Sequence, residues 1–343
     1  MRRDGQKAGP LFFSRTYDFL ERYLPLQVGR SRHTVESYRD ALTVFRRFAR
    51  DEACLSVADM RFGDCTRGLV LSFLEHLRAA GCSAGTCNQR LAALKSYLWY
   101  AADRDVAVQS VAMSVSRIPP VKGPERVKEK LSEEALAAIL SQPDPTSRKG
   151  IRDRAMLVLL YDSGIRLSEL IGLDVGDVRI GDDPRIYVMG KGSRERAMAI
   201  TPATAAHISA HLACMHGHDP DPSSPLFFTV RSGSRCRMSP SNVQRIVQVC
   251  ADGARKTCPD VPEKVHPHTF RRTRATDLYQ GGVALELVSR ILGHSSVETT
   301  KIYAKPSMEM MREAMESAYP TALEEKPVWV GNEDEMARLC GLR

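Results

Sequence analysis

The chain has 343 residues, enough for two domains with a sizeable core in each. Its 43% hydrophobic and 26% charged content is that of a globular protein, and no apolar run approaches the ~20 residues of a bilayer span, which argues against a membrane protein. The net charge of +8 is uneven: residues 1 to 50 hold eleven Lys/Arg against five Asp/Glu, a surplus that suits a polyanion such as nucleic acid or simply keeps a protein soluble. Nine cysteines without a CxxC pair, and a start without a signal-peptide pattern, place reduced thiols in a cytoplasm.

Residues 11 to about 112 read as an all-α domain of about four helices. In SRHTVESYRDALTVFRRFARDE, Thr34 is placed to cap a helix whose Tyr38, Leu42, Phe45 and Phe48 recur near helical spacing. TRGLVLSFLEHLRAAG gives a shorter helix closed by Gly81. In TCNQRLAALKSYLWYAADRD, Leu91, Leu94, Leu98 and Ala101 share one side, while Arg90 and Lys95 lie off that stripe. Residues 113–130, MSVSRIPPVKGPERVKEK, break the pattern. Pro119, Pro120, Pro124 and Gly123 prevent a continuous helix, and five Lys/Arg, Lys122 among them, make this a basic linker suited to a phosphate backbone.

A second domain, residues 131 to about 305, opens on LSEEALAAIL with Ser132 as N-cap. IRDRAMLVLLYDSG follows as a largely buried helix stopped at Gly164. RIYVMGKGSRERAMAI changes period: two short apolar runs flank Gly190, Lys191, Gly192 and Ser193, a hairpin signal. Helices return afterwards and continue to the C-terminus. The fold class is therefore mainly α with a small antiparallel sheet.

The densest chemistry lies in HPHTFRRTRATD, residues 266–277. It can be a solvated basic face, a metal pair of His266 and His268, or an anion cradle. Pro267 between the histidines removes a strand donor and disfavours the metal pair. His207, His211, Cys214 and His218 also recur at helical spacing, without an established ligand pattern. As a cradle, His268 and Arg271 stand at i and i+3 on one helix face, and arginine offers a rigid charged fork for phosphate oxygens. Three further segments bear on it. SGIRLSEL puts Arg166 just after Gly164, with Glu169 able to orient a neighbouring cation. MGKGSRER puts Lys191 at a hairpin tip. ILGHSSVETTKIY puts His294 in a tight turn after Gly293, a capping box of Ser295 and Glu298 next, and Tyr303 on the helix that follows.

SGIRLSEL, GKGSRER, HTFRRTRATDLYQGG and LGHSSVETTKIY together resemble the tyrosine recombinase (phage integrase, Xer-like) family, over nearly the whole chain and in the family's order. The resemblance implies an N-terminal four-helix, SAM-like core-binding domain at 1–112, the linker at 113–130, a catalytic domain at 131–305 and a tail at 306–343, the two domains forming a C-shaped clamp on double-stranded DNA. It implies Tyr303 as nucleophile on the scissile phosphate, giving a 3′-phosphotyrosine and a free 5′-hydroxyl. Arg166 and Arg271 would hold the non-bridging oxygens. Lys191 would be general acid for the leaving oxygen, and His268 would help take the tyrosine proton. His294 would donate a further hydrogen bond, with Glu169 as support. No metal and no other cofactor is implied, since the phosphotyrosine bond conserves the energy for religation.

Many relatives carry histidine directly after the second arginine, where this chain has Arg272, read as a phosphate contact or a structural ion pair. Arg90, Lys95, Lys122 and Arg272 are the DNA-binding candidates, and Arg274 fits a solvated face or an ion pair. In the tail, Met308, Met311 and Met315 line an amphipathic segment, with Trp329 beyond, that closes its own core or docks on a neighbouring protomer. The expected function is a site-specific recombinase, the integrase or transposase of a mobile element, acting as a homo-tetramer on synapsed sites with accessory directionality or partner recombinase proteins. A Xer-type enzyme of chromosome dimer resolution is the alternative. A non-catalytic DNA-binding relative is a third reading.

Overall fold

The structure, a computed structural model, describes residues 9–124, 130–190, 195–293, 298, 300, 306, 308–317 and 332–342. The chain divides into two compact units, Met1–Val127 and Lys128–Arg343. No helix among the described residues is long and apolar enough to cross a membrane.

The main helices of the first unit are α1 (Arg32–Asp51), α2 (Arg67–Ala79), α3 (Ala84–Ala102) and α4 (Gln109–Ser116). Each of the first three starts at a Ser or Thr whose hydroxyl accepts an N–H three residues on: Ser31 from Thr34, Thr66 from Leu69, Ser83 from Thr86. Thr34 is thus inside the first turn of α1, and the cap is Ser31, whose extended backbone leads the chain into the helix. Leu42, Phe45 and Phe48 point inward and Tyr38 packs against them. The core they join is aromatic, with the Phe12 ring 5.5 Å from Phe45, 5.1 Å from Phe62 and 5.3 Å from Tyr97. Part of the proline-bearing segment belongs to this packing. α4 runs to Ser116, Ile118 is buried, and the Asn88 side chain holds both backbone groups of Val121, at 3.0 Å and 2.7 Å.

The second unit begins with α5 (Glu133–Ser141), capped by Ser132, and α6 (Arg148–Ser163). α6 is the central element: Ala155, Met156, Leu157, Leu159 and Leu160 are all buried. After α7 (Leu167–Gly172) comes an antiparallel sheet in the order β1 (Val178–Arg179), β2 (Arg185–Met189), β3 (Glu195–Ala199). β2 and β3 pair with Ile186 opposite Met198, so the expected hairpin forms. α8 (Pro202–Met215) packs on α6.

The expectation of helices alone after this point is corrected. β4 (Phe228–Arg231) and β5 (Ser234–Arg237) make a second hairpin, closed by Ser232 and Gly233 at φ 47° and 79°. A two-residue loop with both φ positive matches strand twist, and the Ser-Gly pair was its sequence signal. α9 (Pro240–Ala254), α10 (Pro267–Gln280) and α11 (Leu285–Leu292) complete the packed body. Beyond it lie α12 (Met308–Ser317), with Met308 and Met315 both 74% exposed, and α13 (Glu333–Leu339). Trp329 lies outside the described residues.

Candidate active site

The site forms where α6 ends. Gly164 closes that helix in the left-handed region at φ 59°, and a β-carbon there would stand 2.8 Å from Leu292 Cδ2. The positive φ favours glycine, a β-carbon would have to displace the Leu292 tip, and the tight turn delivers Arg166 to the head of α7. The Arg166 backbone N–H donates to Glu169 Oε2 at 3.0 Å, which fixes the first turn of α7. Its side chain donates from Nη1 to Glu169 Oε1 at 2.8 Å and from Nη2 to Gly293 O at 2.7 Å. The side chain remains 37% exposed, so with five N–H donors it can still meet an anion.

Arg271 reaches the same place from α10. It is 2% exposed, donating from Nη1 to Gly164 O at 2.6 Å and from Nη2 to Leu292 O at 2.7 Å. It therefore ties the end of α6 to the end of α11. Gly293 follows at φ 63°, the left-handed cap of α11 and the residue before His294 in sequence. Arg166 and Arg271, 105 positions apart, thus converge on consecutive carbonyls, Gly293 and Leu292.

Glu169 lies against Arg166 with its side chain 6% exposed. Burial alone would raise its pKa, but hydrogen bonds from Arg196, then from the Arg166 backbone and side chain, hold it below the ordinary glutamate value. Glu169 is therefore an anion at neutral pH and accepts hydrogen bonds from both Arg166 and Arg196. Arg196 was not singled out by sequence reasoning. Its signal was the alternation of β3, which puts a charged residue on the face of buried Met198.

Of the remaining expected site residues, His268 is exposed in the first turn of α10, three residues before Arg271. His266 precedes that helix as its N-cap, its N–H donating to Thr269 Oγ1 at 3.2 Å. Lys191, His294, Ser295 and Tyr303 lie outside the described residues. Arg274 proves an ion-pair residue, donating to Asp162 O at 2.9 Å and Asp162 Oδ1 at 3.2 Å. Arg272 is half-buried on α10. In the first unit, Lys122 is exposed, and Arg90 is half-buried with Nη1 3.4 Å from Cys82 Sγ. Lys95 directs its ammonium to Ser116 O at 3.0 Å and Ile118 O at 2.6 Å.

The histidine-rich α8 serves the fold. His211 and His216 both bond the carbonyl of Leu226, at 2.8 Å and 3.0 Å, which requires Nε2–H on each ring. Among the described residues no group of three or more His, Cys, Asp or Glu side chains is arranged to hold a metal ion.

The model of the phage integrase family matches residues 129–310, and that of the phage integrase N-terminal SAM-like domain matches residues 18–105. The chain is 32% identical over 311 residues to the tyrosine recombinase XerC of Myxococcus xanthus, covering 88% of this chain and 96% of that one. It is 30% identical over 298 residues to the tyrosine recombinase XerA of Thermococcus kodakarensis, covering 87% and 93%. In fold it is similar to the Tn1549 transposon integrase solved with circular intermediate DNA, with a TM-score of 0.66 at 18% identity over 90% of this chain and 99% of that one. Arginines gathered at the end of α6, a SAM-like helical unit before them and Xer relatives along nearly the whole length lead to one statement: the chain belongs to the phage integrase family of tyrosine recombinases, enzymes of site-specific DNA cleavage and religation.

Proposed function

We propose that this chain cuts and rejoins double-stranded DNA through a 3′-phosphotyrosine on Tyr303. The observation that carries the reading is the convergence of Arg166 and Arg271 on the Leu292–Gly293 carbonyls, in a chain whose next residues are His294 and, nine further on, Tyr303. In this reading the two guanidinium groups take the non-bridging oxygens of the scissile phosphate and oppose the charge that builds on the pentavalent phosphorane. A free phenol has a pKa of about 10, so attack at neutral pH needs a proton acceptor, and His268 serves as one. Lys191 protonates the departing 5′-oxygen and His294 donates to the phosphate. The reverse sequence, with a new 5′-hydroxyl attacking the phosphotyrosine, religates the strand. In this reading the first unit, whose packing runs through Val121, is the core-binding domain, the basic stretch after it leads to the catalytic domain at 131–305, and 306–343 is available for exchange between protomers of a tetramer. The enzyme works in the cytoplasm.

A DNA substrate nicked close to the cleavage site releases its 5′-hydroxyl fragment and traps the covalent complex. The wild-type chain is expected to accumulate that complex in EDTA and Tyr303→Phe to give none. An adduct retained by Y303F would assign the nucleophile elsewhere. For the biological role we propose the integrase or transposase of a mobile element. The names of the two Xer relatives favour a second reading, chromosome dimer resolution. Sequencing the DNA around the gene separates them: repeated ends and cargo genes support the first, a chromosomal terminus site the second.

A further inference from the structure

Beside Arg166 and Arg271 stands Arg196, on β3 opposite Val188 and on the face that carries buried Met198. An inward strand position is ordinarily apolar. What Arg196 meets there is Glu169, with Nη1 on Oε1 and Nη2 on Oε2, both at 3.0 Å. An ionised carboxylate offers about four acceptor positions. The other two are filled by Arg166, through Nη1 on Oε1 at 2.8 Å and its backbone N–H on Oε2 at 3.0 Å. Without Arg196, a carboxylate 6% exposed would have half its positions empty. Arg166 is the guanidinium already bonded to that carboxylate and so the one placed to fill them. It would be drawn off Gly293 O into a private pair with Glu169, its charge cancelled there. Arg196 also supports the turn itself: a β-carbon at Gly293 would come within 2.5 Å of Arg196 Cζ, and Arg196 Nη2 lies 3.5 Å from Leu292 O.

We propose that Arg196 is a positioning residue for strand cleavage: by sharing Glu169 it keeps the Arg166 charge directed at the scissile phosphate, and by packing under Gly293 it holds the end of α11 to which Arg166 also bonds. The inference rests on the reading of Arg166 as a phosphate-binding residue. Its mark is that the loss depends on the charge at the scissile phosphate, which a merely stabilising ion pair would not produce.

The test uses the full chain and the nicked substrate, with either a normal phosphodiester or a methylphosphonate at the scissile position, which lacks one non-bridging charge. Arg196→Met is expected to slow covalent-complex formation about 10- to 100-fold with DNA affinity unchanged. Adding Glu169→Gln to R196M should restore the rate to within a few-fold of wild type, and the deficit of R196M should shrink on the methylphosphonate. A wild-type rate in folded R196M overturns the proposal, as does an equal deficit on both substrates, whether or not E169Q restores the rate. If R196M does not fold, Arg196→Lys, which keeps the charge but reaches one oxygen at a time, is read on the same two substrates with the same criteria. Failure of the underlying reading shows differently, as a wild-type chain that forms no adduct or a Y303F chain that keeps one.

Discussion

The two units bury polar groups to different ends. In the first, the core is aromatic and the buried hydroxyls close on the unit's own chain, Tyr97 on the carbonyl of Phe12 and Tyr100 on Asp18. Burial pushes both phenols up in pKa, so they stay neutral and their desolvation is inexpensive. In the second, the aliphatic core around α6 is edged by arginine, with Arg271 2% exposed and the Arg196 side chain 20% exposed. A guanidinium is charged at every accessible pH, and removing it from water costs several kcal/mol unless partners compensate. A fold that only needed filling would use leucine there. Two backbone carbonyls hold Arg271 and Glu169 holds Arg196, and in the function proposed above the charge kept there serves the scissile phosphate.

The first unit is the place to break its half of this contrast, with the largest effect. Phe45 is wholly buried between Phe12 and Phe73, and Phe45→Ala should lower unfolding stability by about 3–5 kcal/mol in urea titration. A loss below about 1 kcal/mol would mean that the aromatic cluster does not hold the unit. In the second unit, Arg271→Met keeps much of the volume and removes the charge. Covalent-complex formation should fall about 10²–10³-fold, as for loss of one charge-stabilising donor. Stability should fall too, since Gly164 O loses the Arg271 donor and Leu292 O is left with the longer 3.5 Å bond from Arg196, at about 1–3 kcal/mol for each group left buried without a donor. An R271M chain that is destabilised yet cleaves at the wild-type rate would make Arg271 a structural tie alone.

How much of this was legible in the sequence follows from the range of each signal. Gly164 and Gly293 were readable because a helix stop is local, and both sit in the left-handed region. The i,i+3 step from His268 to Arg271, and a Glu169 able to orient a neighbouring cation, were readable for the same reason. Arg196 was not, because its partner Glu169 is 27 positions away and only the β2–β3 register turns it inward. The β4–β5 hairpin was missed although its turn residues are local, because β5 (SRCR) carries no apolar alternation. Lys95 is legible in sequence only as a cation off the apolar stripe of α3. Its α3 position faces the end of α4, a contact 21 residues ahead.

The histidines of α8 give a smaller, pH-dependent effect. Burial, with the neighbouring His216 and Arg152 adding to it and the Leu226 carbonyl opposing it, lowers the His211 pKa to about 4. The unfolded chain, with histidine near 6.5, binds this proton more readily than the folded one between those values. The contribution is therefore fully present above about pH 6.5 and is lost as pH falls toward about 4, up to ~3 kcal/mol in all. His211→Gln, able to donate to the same carbonyl but unable to titrate, should flatten the fall in melting temperature between pH 6.5 and 4.5. An unchanged slope would show that His211 protonates freely in the folded state.

The smallest effect separates structure from DNA contact among the lysines of the first unit. Lys95 supplies donors to the Ser116 and Ile118 carbonyls at the end of α4, where a helix lacks internal donors and a cation is favourable. Lys95→Met keeps the stem, and should lower stability by about 1 kcal/mol while leaving the salt dependence of DNA binding as it was. Lys122 is exposed, and Lys122→Met should do the reverse, reducing the slope of log K against log salt by about one with stability within about 0.5 kcal/mol. The slope counts phosphates neutralised, so it does not respond to a lost helix cap. A shallower slope in K95M would put that lysine on the phosphate backbone, and its carbonyl contacts would then be a resting position that DNA displaces.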